Sequence, residues 1–260
     1  MRILWLNPIG TAEHDAAMAA ALAAAKRPDT TAGVTSFTPG RVPAHLEYDG
    51  FEAFAVPEIV RAARHFSQEG WDAMVVGCFY DTALEAAREV SGDMIVVGPC
   101  QAGLEVAGAL AAKASILATR AKAAGHIARR VRGYGAGDRI ASIRTLDILT
   151  SELTRDPGLT ARRVEEEARA AIERDGAEAI LLGCTLEYEA AAAIGRRLGV
   201  PLIDAVRAPF AQAEALARLA RDFGWGAGRV RAGVAPSAAE MAETGCFVPP
   251  PLNPLLEVVR

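Results

Sequence analysis

No stretch of this 260-residue chain stays apolar for the roughly 18 to 20 residues needed to cross a bilayer, because charged residues interrupt each alanine-rich segment. Charge of one sign is also missing. The chain has 28 Lys and Arg scattered among 32 Asp and Glu, a formal charge of -4, which leaves no electrostatic surface for nucleic acid or an anionic membrane. Cysteine is sparse: the four residues form neither a CxxC nor a Cys/His cluster, so a disulfide scaffold and a structural metal are not expected, and reduced thiols are. His14, His45, His65 and His126 lack metal-ligand spacing and read as surface or capping residues. The segment Met1 to Pro8 has one basic residue and a short apolar run, a poor signal peptide but a good first strand, and a cytoplasmic location is expected.

What remains is ordinary globular material, 51% hydrophobic and 23% charged, with much alanine to favour helices. Short apolar runs alternate with longer amphipathic segments, which predicts an α/β fold with mostly parallel sheets flanked by helices. Strands are predicted at residues 2–7, 73–77, 94–98, 115–119, 179–183 and 202–203. Helices are predicted at 12–26, 52–69, 84–90, 159–174, 189–198 and 208–223.

An internal echo organises these elements. Trp71-Asp-Ala-Met-Val-Val-Gly-Cys78 resembles Gly176-Ala-Glu-Ala-Ile-Leu-Leu-Gly-Cys184, each an apolar strand ending in Gly-Cys. A helix and a second strand follow each cysteine, and Gly98 and Asp204 stand at the same distance beyond their cysteines. Matched strand, cysteine, helix and strand predict two similar halves. The expected division is a first domain of residues 1–104 plus 208–260 carrying Cys78, and a second of 105–207 carrying Cys184.

The Gly-Cys turns carry the chemistry. In an open parallel sheet, ligands lie beyond the carboxyl ends of strands, where both cysteines fall. A thiol at a helix N-terminus can have its pKa lowered from about 8.5 into the ~3.5 to 7.5 range. The preceding glycine permits a sharp turn and close ligand approach. One thiolate can then remove a proton from a carbon beside a carbonyl while the second thiol donates to the opposite face. Backbone N–H groups would stabilise the developing enolate. This chemistry calls for no metal or organic cofactor.

At these residues the sequence resembles the aspartate/glutamate/hydantoin racemase superfamily. Val75-Val-Gly-Cys-Phe-Tyr-Asp-Thr-Ala-Leu-Glu-Ala-Ala-Arg-Glu89 is similar to the hydantoin racemase segment Gly-Cys-Phe, any residue, Asp-Pro-Gly-Leu, then a helix ending Ala-Arg-Glu, with Thr82-Ala83 replacing Pro-Gly. Leu6-Asn-Pro-Ile-Gly-Thr11 resembles that family's Asn-Pro-Asn-Thr turn, and Ser115 to Thr119 its strand ending in threonine. Around the second cysteine, Leu182-Gly-Cys-Thr-Leu-Glu-Tyr188 is closer to the Gly-Cys-Thr-Glu of amino-acid racemases than to the Gly-Cys-Ala-Gly-Met of hydantoin racemases. The resemblance implies two pseudosymmetric domains, an active site in the interdomain cleft, catalytic Cys78 and Cys184, and a small-molecule substrate that is hydantoin-like or amino-acid-like. It implies substrate contacts at Asn7, Phe79, Asp81, Thr82, Thr119 and Thr185. For Asn7, Asp81 and Thr119 the competing reading is turn capping, and for Phe79 it is packing. A homo-oligomer is expected. Two other readings stand beside the racemase: a relative of maleate isomerase or arylmalonate decarboxylase, and a non-catalytic small-molecule-binding protein.

Four features are set aside. Cys100 has no counterpart in the other half and reads as a pocket wall. Cys246 lies in a proline-rich tail. Gly133-Tyr-Gly-Ala-Gly137 lacks the preceding strand of a nucleotide loop. Arg129-Arg-Val-Arg132 reads as a solvated helix face.

Overall fold

The computed structural model describes residues 1–188 and 191–259. In chain order the elements are β1 (Arg2–Asn7), α1 (Asp15–Ala25), β2 (Thr31–Ser36), α2 (Asp49–Gln68), β3 (Ala73–Val76), α3 (Leu84–Val90) and β4 (Ile95–Val97). They continue with α4 (Pro99–Leu110), β5 (Ala114–Ala118), α5 (Ala121–Gly133), β6 (Ile140–Thr145), α6 (Pro157–Asp175), β7 (Ala179–Leu182), α7 (Ala191–Leu198) and β8 (Leu202–Ile203). The chain ends with α8 (Arg207–Phe223), α9 (Ala238–Thr244) and β9 (Leu256–Val258).

Two sheets form, in the orders β4-β3-β1-β2-β9 and β6-β5-β7-β8. Every pairing is parallel except that of β9, which runs antiparallel along the edge of β2. Leaving β9 aside, the first sheet reads β4-β3-β1-β2 and the second β8-β7-β5-β6, the same order four strands later. The echo heard in the sequence is therefore a repeat of topology, with β3 and β7 in equivalent places.

By packing the chain divides into two compact units. One holds Met1–Gly77, Thr82–Gly98 and the chain from Phe210 onward; the other holds Cys78–Asp81 and the described part of Pro99–Pro209. Strands β1, β3, β5 and β7 are buried along almost their whole length, as parallel strands covered on both faces must be, which is why they read as unbroken apolar runs.

The elements that the apolar pattern missed have local causes. In β2, Thr-Ala-Gly-Val-Thr-Ser, a Cβ on Gly33 would stand 2.3 Å from the Trp71 ring, so the packing requires a residue that weakens the strand pattern. In β6, Arg144 sits mid-strand; its Nε donates to Asp175 Oδ2 at 2.6 Å and its Nη1 to Glu167 Oε2 at 3.0 Å. The ion pairs hold a charge in a strand that propensity alone would place in a loop. Helices α4 and α5 also escaped the pattern, as did the short α9 and β9. The expected start of a helix at Glu189 lies outside the described residues.

Candidate active site

Each cysteine follows a glycine that touches the neighbouring strand. The Gly77 N–H donates to the Leu6 carbonyl at 2.8 Å, and a Cβ on Gly77 would stand 2.5 Å from Trp5 Nε1. In the equivalent place the Gly183 N–H donates to the Leu117 carbonyl at 2.8 Å, and a Cβ would stand 2.6 Å from that carbonyl oxygen. Glycine here serves close approach as the chain leaves the sheet. Gly183→Ala is expected to cost about 1–3 kcal/mol, since the obstruction is backbone and cannot rotate away. Thermal unfolding measures it; an unchanged midpoint would mean that β5 and β7 separate freely.

All four cysteines are free thiols, and they differ in exposure. Cys78 and Cys184 are half-buried, Cys100 is buried and Cys246 exposed. Cys100 has 0% exposure and packs in an apolar cluster with Phe79, Leu104 and Ile116, so it is a core residue and not the expected pocket wall. Burial, with the nearby Asp81 charge, pushes its thiol well above the usual range and keeps it protonated.

The helix-terminus expectation also needs correction. Helix α3 begins only at Leu84, and residues 184–188 are not helical. Each cysteine stands on a turn ahead of its helix. A macrodipole acts within about one turn of the helix end, and neither cysteine stands in the first turn of its helix.

The first turn is built as part of the second unit. Phe79 is buried in that unit's core, and Tyr80 stacks on the His126 ring with centroids 4.0 Å apart at 11°. Asp81 is fully buried; its Oδ1 accepts from the Cys100 N–H at 2.9 Å, and its Oδ2 from the Gln101 N–H at 2.8 Å and the Tyr134 hydroxyl at 2.7 Å. These bonds cap the first turn of α4, about twenty positions away, and not the turn at a strand end that was the competing reading from sequence. Thr82, also fully buried, donates to Glu52 Oε1 at 2.9 Å.

Asn7 joins a buried polar chain at the ends of β1 and β2. Its Oδ1 accepts from Trp5 Nε1 at 2.7 Å and its Nδ2 donates to Asp15 Oδ1 at 2.6 Å, while Ser36 Oγ donates to Asp15 Oδ2 at 2.7 Å. Thr119 is buried just beyond β5, where its carbonyl accepts from the Ile148 N–H at 3.2 Å, and Thr185 is buried beside Cys184. The second unit thus contains Cys78, Phe79, Asp81, Thr119, Cys184 and Thr185, and the first contains Asn7 and Thr82.

Sequence reasoning passed over Tyr134, whose partner is 53 positions away. It also passed over Glu187, three residues beyond Cys184. Glu187 is buried and neither carboxyl oxygen has a hydrogen-bond partner among the described residues, and burial pushes its carboxyl well above the ordinary range. A carboxylate within the Gly-Cys-Thr pattern was the only available signal.

Residues 3–213 match the family described as Asp/Glu/Hydantoin racemase. The chain belongs to that family. It is a racemase, and thus an isomerase, as its relatives indicate. The hydantoin racemase of Pseudomonas sp. (strain NS671) is 33% identical over 221 residues, covering 85% of this chain and 88% of that protein. The hydantoin racemase of Rhizobium meliloti is 34% identical over 216 residues, covering 83% and 88%. Among solved structures, allantoin racemase from Klebsiella pneumoniae superposes with a TM-score of 0.83 at 27% identity, covering 91% of this chain and 94% of that one. In this racemase no described helix is long and apolar enough to cross a membrane.

Proposed function

We propose that this racemase inverts the carbon beside a carbonyl in a hydantoin-type ring by proton transfer between Cys78 and Cys184, without a cofactor. The observation that carries the reading is the pair itself: two half-buried free thiols on equivalent Gly-Cys turns, both packed within one compact unit. One thiolate takes the proton from carbon, and the C–H electron pair moves into the adjacent carbonyl to form an enolate. The other thiol gives its proton to the opposite face, and the electron pair returns to carbon. The thiols end with their protonation states exchanged, which is the starting state for the reverse direction.

The relatives favour a ring over an amino acid, since those cited act, by name, on hydantoins and allantoin. The test incubates single enantiomers of 5-benzylhydantoin, allantoin, aspartate and glutamate with the enzyme in deuterium oxide. NMR and optical rotation follow exchange and inversion above the uncatalysed rate. The expected result is deuterium entry with inversion in a ring substrate and none in the amino acids. Inversion of amino acids alone, or no inversion of any compound, sinks the reading.

A further inference from the structure

The two halves cap corresponding helices differently. Before α8, Asp204 caps locally: its Oδ1 accepts from the Val206 N–H at 3.0 Å and the Arg207 N–H at 2.7 Å. The corresponding residue before α4 is Gly98, which has no side chain to offer. Asp81, from the Cys78 turn, supplies the cap by accepting from Cys100 and Gln101 in the first turn of α4. The residue that ends the cysteine turn is therefore also the anchor of a helix.

Asp81 is coupled to the cysteine through the backbone. Its N–H donates to the Cys78 carbonyl at 3.0 Å, and its φ of 51° is a left-handed conformation that a non-glycine residue holds only when its surroundings enforce it. The enforcing contacts are three accepted hydrogen bonds, two from α4 and one from Tyr134, the residue that closes α5. An ionised carboxylate accepts all three as charge-assisted bonds, and a protonated one is a weaker acceptor for each of these donors.

We propose that Tyr134 is a positioning residue for Cys78: its hydroxyl holds the Asp81 carboxylate, and through it the Cys78 turn, against the first turn of α4. The inference rests on the two-cysteine reading above. The groups facing Asp81 are Tyr134 and Arg130 from α5, and Cys100 with the Gln101 N–H from α4; Cys78 lies on the same turn and is felt by Cys100. Burial raises the Asp81 carboxyl to about 6, and Tyr134 is foremost among the contacts that oppose this rise. The carboxylate is thus present above about 6 and lost as pH falls through that value. Removing the hydroxyl moves this loss to higher pH, and a charge-assisted hydrogen bond can account for about one pH unit.

The experiment compares the wild-type protein with Tyr134→Phe. The carbon-13 NMR signal of Asp81, assigned by its absence in Asp81→Asn, gives the carboxyl midpoint. Racemisation of 5-benzylhydantoin is measured across pH 5 to 9. Near pH 6.5, kcat of Tyr134→Phe is expected to fall about threefold, with the loss recovered at pH 9 and KM changed less than about twofold. A separate arm needs no turnover: the rate at which iodoacetamide alkylates Cys78, read on the Cys78 peptide by mass spectrometry. The ratio of variant to wild-type rates should change across the interval between the two Asp81 midpoints. A general loss of stability would move neither the acid limb nor this ratio in step with Asp81. The proposal is overturned if the Asp81 midpoint does not rise, or if it rises while the alkylation ratio stays flat with pH. It is equally overturned if wild-type Cys78 alkylation shows no inflection at the Asp81 midpoint. An absence of 5-benzylhydantoin racemisation with a shifting alkylation ratio counts against that ring as substrate and leaves the Tyr134 coupling standing.

Discussion

Cys78→Ser and Cys184→Ser are each expected to lower racemisation by about 10²- to 10⁴-fold, the range that a positioned acid or base contributes. A serine hydroxyl does not ionise near neutral pH, so the replaced position can no longer take a proton from carbon. On the proposed mechanism the remaining thiol still serves one face. Cys78→Ser should therefore exchange the stereocentre proton of one enantiomer with solvent deuterium while failing to invert it, and Cys184→Ser should do so for the other enantiomer. Chiral chromatography coupled to mass spectrometry separates the two readouts. Cys246→Ser, an exposed residue in the tail, is the matched control and should behave as wild type. Full racemisation in either active-site variant would refute proton exchange between this pair.

Glu187→Met is expected to raise stability, by about 1–3 kcal/mol, because it removes a buried polar group whose oxygens have no hydrogen-bond partner among the described residues. Methionine also stands at the corresponding place in the Gly-Cys-Ala-Gly-Met pattern, so a side chain of that length suits such a turn. The pH dependence gives a second check. A carboxyl held above its unfolded value binds protons more tightly in the folded state, so its contribution is unopposed below the unfolded pKa of 4.5 and turns against folding as pH rises. The slope of stability against pH above that point should be shallower in Glu187→Met than in wild type, as read by urea unfolding at several pH values. An unaltered slope, or lower stability, would mean that Glu187 gains a partner in solution.

The legible part of the fold was the part whose neighbours impose apolarity. Strands β1, β3 and β7 are covered on both faces, so nearly every side chain must be apolar and the run is visible without knowing the partner strands. Helices α1, α2, α6 and α8 also appeared from their own periodicity. Strands β2 and β6 did not, since Gly33 answers to the Trp71 ring and Arg144 to carboxylates on α6. In each case the deciding contact belongs to another element.

The site divides in the same way. The sequence alone determined the two Gly-Cys turns, their equivalence and the chemistry open to paired thiols, because each is a short local pattern repeated at equal spacing. Asp81 and Thr82 were visible as polar residues beside a cysteine, but their partners were not. Tertiary structure alone decided that Cys100 is sealed in the core and that the thiols sit ahead of their helices. It also decided that Asp81 serves α4 and Tyr134, and that Glu187 is buried without a hydrogen-bond partner among the described residues. Burial and hydrogen-bond pairing are set by residues tens of positions away, brought together only when the sheets and helices close. A local pattern can name candidate thiols; what surrounds them depends on the folded chain.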